Sequence, residues 1–389
     1  MSLNRRQLLQ NVPLAALAAK DSRDRWRDLT SFIEGERAAG VIPGASVIAS
    51  KRGKKALEWQ TGTYCSLTRR DTPLDAPVIH PFFSYSKLVA ATVVVMAHQD
   101  GLVDYDAPVS TYIPEFVGGG KEKVTIRRLL THSAGIPSAP FGPVLKEEAW
   151  KEAVNIACGL KTEWEPGSRT SYHALTGLFI AAEAVRRKSG NKPWAQICRE
   201  RLFNPLGARS LTFGLPDEDE PVALTPQPAP GPLPRRLQDA FQFAGHPAGG
   251  CFGTVEDALK VLQLHLNQGK WKQRRLIKPE SLAEMHKVQY QAEIQQARAA
   301  GKNPTHEPWG LGPLMRGDGA KNGGHDWFGF RDQTNPGVFG HAGIDTFIGV
   351  ADPGTGNALI FVTTNSPKPA EKTVPLRNGV TNRVFATLG

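Results

Sequence analysis

The tetrapeptide Ser84-Tyr85-Ser86-Lys87 contains two side chains that could do chemistry together. Ser84 and Lys87 are three residues apart, so on a helix they lie on one face, about one turn apart. A serine hydroxyl is a weak nucleophile until a base takes its proton, and a lysine desolvated in a dry pocket can be that base. The apolar run at 88–97 predicts a helix buried almost all round, which would lower the pKa of the Lys87 amine. The sequence therefore predicts Ser84 as a nucleophile and Lys87 as its base.

Two later segments carry side chains that could complete such a site. Tyr172 follows a Pro-Gly turn, and His341-Ala342-Gly343 lies near the C-terminus. The order and spacing of the three elements resemble the serine β-lactamase superfamily, which includes class C β-lactamases, D-Ala-D-Ala carboxypeptidases and β-lactamase-like esterases. The connecting segments 124–137 and 248–257 resemble the same family. The resemblance runs from about residue 25 to the C-terminus.

This resemblance implies roles for individual residues. Tyr172 would shuttle a proton between serine, lysine and leaving group, which requires nearby cations to bias its phenol toward the phenolate. His341 would take the place of the K-T-G lysine, with a catalytic or substrate-binding role. Gly343 would lie on a strand beside the cleft, where a missing side chain lets substrate approach the backbone. The oxyanion hole would be formed by the backbone N–H groups of Ser84 and Ile344.

The sequence departs from the family pattern at two positions. Ala174 stands where β-lactamases and carboxypeptidases have an asparagine that would hydrogen-bond a substrate amide. His341 replaces a permanently charged lysine, and histidine is mostly uncharged near neutral pH, so carboxylate recognition should be weaker. Both departures favour an ester over a β-lactam or a peptide. Some carboxypeptidases of the family carry H-x-G, which keeps a peptide substrate open.

The sequence thus predicts a serine hydrolase that forms an acyl-enzyme, with a β-lactamase-like carboxylesterase favoured. A D-Ala-D-Ala carboxypeptidase or class C-type β-lactamase is the alternative, and a catalytically silent binding protein on the same fold is a third. No G-x-S-x-G elbow, H-E-x-x-H motif, dinucleotide fingerprint or P-loop occurs, so no cofactor and no metal are predicted. His173 and His325 are expected to be surface or satisfied polar residues.

Composition narrows the class of protein. A hydrophobic content of 40% with 22% charged residues is typical of a soluble globular protein, and no apolar run is long enough to span a membrane. The net charge of +10 comes from scattered basic residues without interleaved aromatics, which argues against nucleic-acid binding. The expected partners are a small-molecule ester, a β-lactam or a cell-wall peptide. The oligomeric state is not determined by the sequence.

The four cysteines are far apart and form no C-x-x-C pair. Neither a zinc site nor a disulfide framework is therefore indicated. Cys65, Cys158, Cys198 and Cys251 are expected to be small buried hydrophobic residues.

The first nineteen residues have the order of a bacterial export signal. A basic start with paired arginines precedes a short apolar stretch and small residues, which resembles the twin-arginine type. This predicts a protein exported to the periplasm or secreted. A frayed N-terminal segment or disordered tail on a cytoplasmic protein is the alternative.

Secondary-structure signals predict an α+β fold. Strands are predicted at both ends of the chain, at 45–50, 56–60, 347–352 and 358–364, and residues 85–210 are mostly helical in pattern. This arrangement predicts one antiparallel sheet built from both termini, flanked by helices at 23–39 and 371–387, with an inserted helical subdomain.

The predicted boundaries give one catalytic domain over residues 20–389. Its α/β part would comprise about 20–84 and 245–389, and its helical subdomain about 85–244. The resemblance implies a site in the cleft between the two parts. The polar, proline-rich segment 214–240 is expected to be an irregular loop.

Overall fold

The computed structural model describes residues 24–65, 71–139, 141–214, 244–318, 328–330 and 332–389. The predicted export signal at 1–19, the proline-rich segment apart from Gly214, and His325 lie outside these residues.

Strands and helices alternate along the described part of the chain. The strands are β1 (Gly44–Lys51), β2 (Lys54–Tyr64), β3 (Thr72–Pro73), β4 (His80–Pro81), β5 (Phe252–Gly253), β6 (Lys270–Trp271), β7 (Arg274–Arg275), β8 (Leu314–Met315), β9 (Phe339–Gly343), β10 (Phe347–Asp352) and β11 (Asn357–Thr363). The helices are α1 (Arg27–Ala38), α2 (Ser86–Gln99), α3 (Ile126–Leu130), α4 (Glu147–Gly159), α5 (Thr176–Lys188), α6 (Trp194–Cys198), α7 (Asn204–Leu206), α8 (Val255–Leu266), α9 (Pro279–His286), α10 (Gln291–Ala299) and α11 (Thr373–Leu388).

Short 3-10 turns at Phe83–Tyr85, Val109–Thr111, Lys121–Lys123 and Ala370–Lys372, and a π-helical stretch at Arg199–Phe203, complete the regular structure of this part of the chain.

Within the described ranges, seven strands form one antiparallel sheet in the order β3-β2-β1-β11-β10-β9-β8. The first strands of the chain therefore pair with the last, with Val47 opposite Phe361 in the register of β1 and β11. The prediction of an antiparallel sheet built from both termini is confirmed. The fold class is α+β, as predicted.

The sheet is buried on both faces because its strands alternate between two apolar sets. Val47 and Leu359 belong to a core shared with α1 and α11, which contribute Leu29 and Val380. Ile48 and its neighbours on the other face join a larger core shared with α2, α5 and α8. The central strands are therefore held in place by packing on both faces, and so are the residues at their ends.

Helix α2 is the most buried helix near the sheet. Every residue from Ser86 to Ala97 is buried, as the apolar run predicts. The helix packs against α5, and the 3-10 turn that precedes it contacts β9. The N-terminal end of α2 therefore lies between α5 and the sheet. The boundaries predicted for the α/β part and the helical subdomain stay a prediction. In the described part of the chain, no helix has the length and apolar character needed to cross a bilayer.

Candidate active site

Ser84 and Lys87 lie together at the N-terminal end of α2. Ser84 is in the 3-10 turn that leads into the helix, and Lys87 is the second helical residue. The Lys87 Nζ is 3.0 Å from the Ser84 Oγ. The Lys87 side chain is 1% exposed, and this burial lowers the pKa of its amine well below the usual value. A neutral amine can accept the proton of the Ser84 hydroxyl, so the pair has the geometry of a nucleophile and its base.

The segment 244–251 holds the lysine in place from the other side. Lys87 Nζ donates to the carbonyl oxygen of Ala248 at 2.8 Å. The N–H of Ala248 donates in turn to Nδ1 of His246, and the N–H of Cys251 donates to Oγ of Ser86. The Lys87 amine is therefore held within hydrogen-bond distance of both the Ser84 hydroxyl and the Ala248 carbonyl.

Tyr172 reaches the same place from an irregular loop between Arg169 and Leu175. Its ring centroid lies 5.0 Å from Lys87 Nζ, and its phenol makes a side-chain hydrogen bond with Ser84. The three side chains predicted to meet in one cleft are therefore neighbours in the fold. Their catalytic roles stay a prediction.

The expectation that nearby cations bias the phenol of Tyr172 toward the phenolate is not met. Although 40% of the residue is exposed, its phenol is turned toward Ser84, where burial raises the pKa. The hydrogen bond with Ser84 lowers the pKa, but by less. The nearby Lys87 amine, which could have supplied a positive charge, is itself neutralised by burial. Tyr172 is consequently a neutral phenol that can relay a proton rather than hold a negative charge.

His132 fixes the loop of Tyr172, a role that sequence reasoning missed. The N–H groups of Ser171 and His173, on either side of Tyr172, donate to the carbonyl oxygen and to Nδ1 of His132 at 2.8 and 3.1 Å. The His132 ring is fully buried and lies 4.7 Å from the Tyr172 ring between centroids. The only sequence signal was the segment 124–137, which resembles the family without indicating this contact.

His173 corrects another expectation. It is not a surface or satisfied polar residue: it is 3% exposed, and neither ring nitrogen has a hydrogen-bond partner among the described residues. Its ring stacks on Trp164 at 6.1 Å between centroids. Burial lowers the pKa of His173 to about 4, so the ring is neutral. His173 therefore points into the interior, whereas the preceding Tyr172 faces the cavity.

His341 lies at the centre of β9 with a fully buried ring. The pKa of His341 is lowered to about 3, mainly by burial and to a smaller extent by the nearby Lys87, whereas a hydrogen bond to the carbonyl oxygen of Ala342 acts in the other direction. Because a carbonyl can only accept, Nδ1 carries the proton in that 2.8 Å bond. A neutral imidazole with this tautomer supplies no positive charge for a substrate carboxylate.

Gly343 is required for a reason other than the predicted one. A Cβ at this position would lie 2.1 Å from the carbonyl oxygen of Phe82, so the missing side chain admits the backbone that leads to Ser84 rather than a substrate. The close approach brings Ile344 beside Ser84 on the cleft wall. In the described part of the chain, neither the N–H of Ser84 nor that of Ile344 donates to another protein group. Both N–H groups remain available for an oxyanion, which is the role predicted for them.

Three of the eight non-glycine residues with positive φ in the described part of the chain lie beside these residues. Phe83, His132 and Asp345 have φ values of +47°, +56° and +42°. They lie next to Ser84, under Tyr172 and next to Ile344. Such conformations are costly for residues other than glycine and persist where surrounding packing enforces them, often at functional sites.

A cavity of about 360 Å³ opens onto Ser84 and Tyr172. Its walls are mainly apolar, and the side chains that form them are Trp309, Leu314, Phe328, Ala342 and Ile344. Charged groups reach it at Glu307, Asp345 and Arg377. The cavity can hold a small organic molecule with its reacting carbonyl at Ser84.

The remaining predicted features lie away from this cavity. Cys65, Cys198 and Cys251 are buried free thiols, as expected, whereas Cys158 is half-buried. Within the ranges that the structure covers, no group of three or more histidine, cysteine or carboxylate side chains could hold a metal ion.

Comparison with known proteins places these residues in a family context. The family model described as Beta-lactamase matches residues 29–379. The esterase/beta-lactamase LipL of Mycobacterium tuberculosis is 32% identical over 153 residues, which cover 38% of this chain and 33% of LipL. The aligned regions span between 33% and 57% of the lengths of the first curated relatives.

Solved structures show the same fold. A penicillin-binding protein homologue from Caulobacter crescentus superposes with a TM-score of 0.71 at 23% identity, covering 92% of this chain and 98% of the other. A family VIII carboxylesterase superposes with a TM-score of 0.69 at 22% identity, covering 93% of this chain and 97% of the other.

Proposed function

This chain belongs to the Beta-lactamase family, and from that premise we propose that it is a serine hydrolase that cleaves carboxylic esters through an acyl-enzyme on Ser84. The observation that carries the proposal is the 3.0 Å approach of Lys87 Nζ to Ser84 Oγ, with the amine held neutral by burial. A base of this kind is what a serine nucleophile needs at neutral pH.

Acylation begins when the neutral Lys87 amine takes the Ser84 proton as Oγ attacks the ester carbonyl. The electron pair of the carbonyl double bond moves to its oxygen, which accepts hydrogen bonds from the N–H groups of Ser84 and Ile344. Two donors of this kind contribute about 3 kcal/mol each to lowering an acyl-transfer barrier. When the carbonyl re-forms, the C–O bond to the alcohol breaks, and the proton on Lys87 passes through the neutral phenol of Tyr172 to the leaving oxygen.

Deacylation repeats these steps with water. Lys87 takes a proton from the attacking water, the acyl–Oγ bond breaks, and the proton returns to Ser84 as the acid leaves. A neutral Tyr172 suits this sequence because it accepts a proton at its oxygen while giving up its own.

Three observations support an ester rather than a β-lactam or a cell-wall peptide. Those two substrates carry a carboxylate, and the neutral, buried His341 offers it no positive charge. Glu307 and Asp345 bring two negative charges to the cavity against the one positive charge of Arg377. Ala174 has no amide to hydrogen-bond a substrate amide, and its own N–H already donates to Oγ of Ser138.

The test compares nitrophenyl butyrate and nitrocefin as substrates, with the Ser84→Ala variant as the control. We expect ester hydrolysis that disappears in the variant, and slow or absent nitrocefin turnover. Mass spectrometry after reaction with a fluorophosphonate should locate one adduct on Ser84. Efficient nitrocefin turnover with an inert ester would overturn the ester preference, and failure of every probe to label Ser84 would favour a silent binding protein.

The second candidate is a D-Ala-D-Ala carboxypeptidase, which the sequence His341-Ala342-Gly343 favours. Release of D-alanine from a muropeptide by the wild type, and not by the Ser84→Ala variant, would support it over the esterase.

We further propose that the protein is exported, from the basic and apolar pattern of residues 1–19. Fusion of these residues to a reporter that functions only after twin-arginine export tests this proposal, with a variant in which Arg5 and Arg6 are replaced by lysine as the control.

A further inference from the structure

The cavity beside Ser84 has an unusual pairing of aromatic faces with a carboxylate. The rings of Trp309 and Phe328 lie 5.8 Å apart at 81° and form a corner, and Tyr172 lies nearly parallel to Trp309 at 5.9 Å. Glu307 also lines this cavity, and its Oε2 accepts a hydrogen bond from Nε1 of Trp309 at 2.8 Å. Aromatic faces joined to a carboxylate form the environment that binds organic ammonium groups.

Glu307 carries the negative charge that the other charged residues lining the cavity do not balance. Arg377 donates to the carbonyl oxygen of Gly343 at 2.8 Å, and Asp345 acts on it as a neighbouring opposite charge. Lys87 is neutralised by burial, so it does not offset Glu307. Among the described residues, Glu307 forms no ion pair with a lysine, an arginine or a histidine.

The position of Glu307 is fixed by the fold. Its N–H donates to Oγ1 of Thr170 at 2.8 Å, and the N–H of Thr170 donates to the carbonyl oxygen of Thr305. These bonds connect it to the loop that carries Tyr172. The carboxylate therefore stays at the cavity wall when a ligand enters.

A neutral apolar ligand that filled the cavity would remove water from Glu307 and leave the carboxylate unpaired, which is costly. A ligand with an ammonium group would replace that water by an opposite charge. We propose that the site prefers esters that carry an organic ammonium group, which binds beside Glu307 against the partly exposed rings of Phe328 and Tyr172, while the buried Trp309 holds the carboxylate in place. This preference rests on the proposed esterase function and adds the substrate class.

The experiment uses two esters that differ only in charge, butyrylcholine and 3,3-dimethylbutyl butyrate, in which a carbon replaces the quaternary nitrogen. Acid release at constant pH gives kcat/KM for each. We expect the wild type to prefer the choline ester by about fivefold, the size of one cation–π and carboxylate contact at a partly exposed site. In Glu307→Gln the ratio should fall to about one, because glutamine keeps an acceptor for Trp309 and removes the charge.

Glu280→Gln is the matched control. Glu280 is exposed on α9, outside the residues that line the cavity, and its substitution removes the same net charge from the protein. This variant should keep the wild-type ratio. An equal preference for the two esters in the wild type, or a preference that survives Glu307→Gln, would overturn the inference.

Binding is measured separately by calorimetry on Ser84→Ala and on Ser84→Ala/Glu307→Gln, which cannot form an acyl-enzyme. Tighter binding of butyrylcholine by the first protein alone supports the ammonium site even if the wild type hydrolyses neither ester, and in that case only the esterase proposal fails. Equal binding of both esters by both proteins contradicts the ammonium site.

Discussion

The two sides of the proposed active-site cleft are built differently. On the helix side, Ser84 and Lys87 occupy the start of a helix whose residues are buried from Ser86 to Ala97. On the loop side, Tyr172 is 40% exposed and lies in an irregular segment held by hydrogen bonds to His132 and Ser138. The proposed nucleophile and base are therefore fixed by core packing, whereas the proposed proton relay is positioned by a few hydrogen bonds.

This difference suits the chemistry proposed for each side. A lysine acts as a base at neutral pH only if desolvation lowers its pKa, and burial at the start of α2 provides that desolvation. A relay must approach substrate and leaving group, so it lies at the surface of the cleft. Changes on the helix side should remove activity outright, and changes on the loop side should reduce it in steps.

The largest effect is expected on the helix side. Lys87→Met should lower kcat by about a thousandfold, because the base is removed while the apolar volume is kept. In the wild type, kcat/KM should rise with pH up to a lysine pKa well below 10.5, since the protonated amine cannot take the serine proton. Ester hydrolysis between pH 5 and 10 measures both, with the exposed Lys54→Met as the control. Activity within tenfold of the wild type would exclude Lys87 as the base.

On the loop side, Tyr172→Phe should lower kcat by about a hundredfold for an ethyl ester, whose leaving oxygen needs a proton. The loss should be smaller for a nitrophenyl ester, because nitrophenolate leaves without one. Parallel kinetics on the two esters check this difference. An equal loss on both would contradict a role in protonating the leaving group.

His132→Ala should lower kcat for the ethyl ester by about tenfold, because Tyr172 loses its support. His132→Asn should retain more activity, since asparagine tolerates the left-handed backbone and offers an oxygen to the N–H of His173. The double variant His132→Ala/Tyr172→Phe should have a kcat only slightly below that of Tyr172→Phe alone, because His132 acts through Tyr172. Additive losses in this double-mutant cycle would show that His132 acts elsewhere.

The smallest effect concerns stability rather than activity. His173→Phe should raise the free energy of unfolding by about 1 kcal/mol at pH 7, because two buried nitrogens without partners are removed. The gain should increase as the pH falls from 6.5 toward 4. There the unfolded wild type binds a proton that the folded state, with its pKa of about 4, does not, which costs about 1.4 kcal/mol per pH unit.

Urea unfolding of wild type and His173→Phe at several pH values measures this dependence. A difference in stability between the two proteins that does not change with pH would show that His173 is not buried in the neutral form.

Much of the fold and part of the site could be predicted from the sequence because the signals are local. The short apolar runs of β1 and β11, and the longer apolar run of α2, indicate burial directly. The spacing of Ser84 and Lys87 needs only the geometry of one helical turn to bring the two groups together. Tyr172 and the 341–343 segment were found through their resemblance to a family, and not through any local rule.

The tertiary structure decided what depends on neighbours distant in sequence. The neutral state of Tyr172 follows from the desolvation of its own phenol and of Lys87, and no sequence pattern encodes that environment. Gly343 is small because the backbone at Phe82 packs against it, and His132 supports Tyr172 across forty residues of chain. Such contacts bring together groups whose sequence separation carries no periodic signal, so local propensity cannot reveal them, whereas packing and desolvation act only once the chain is folded.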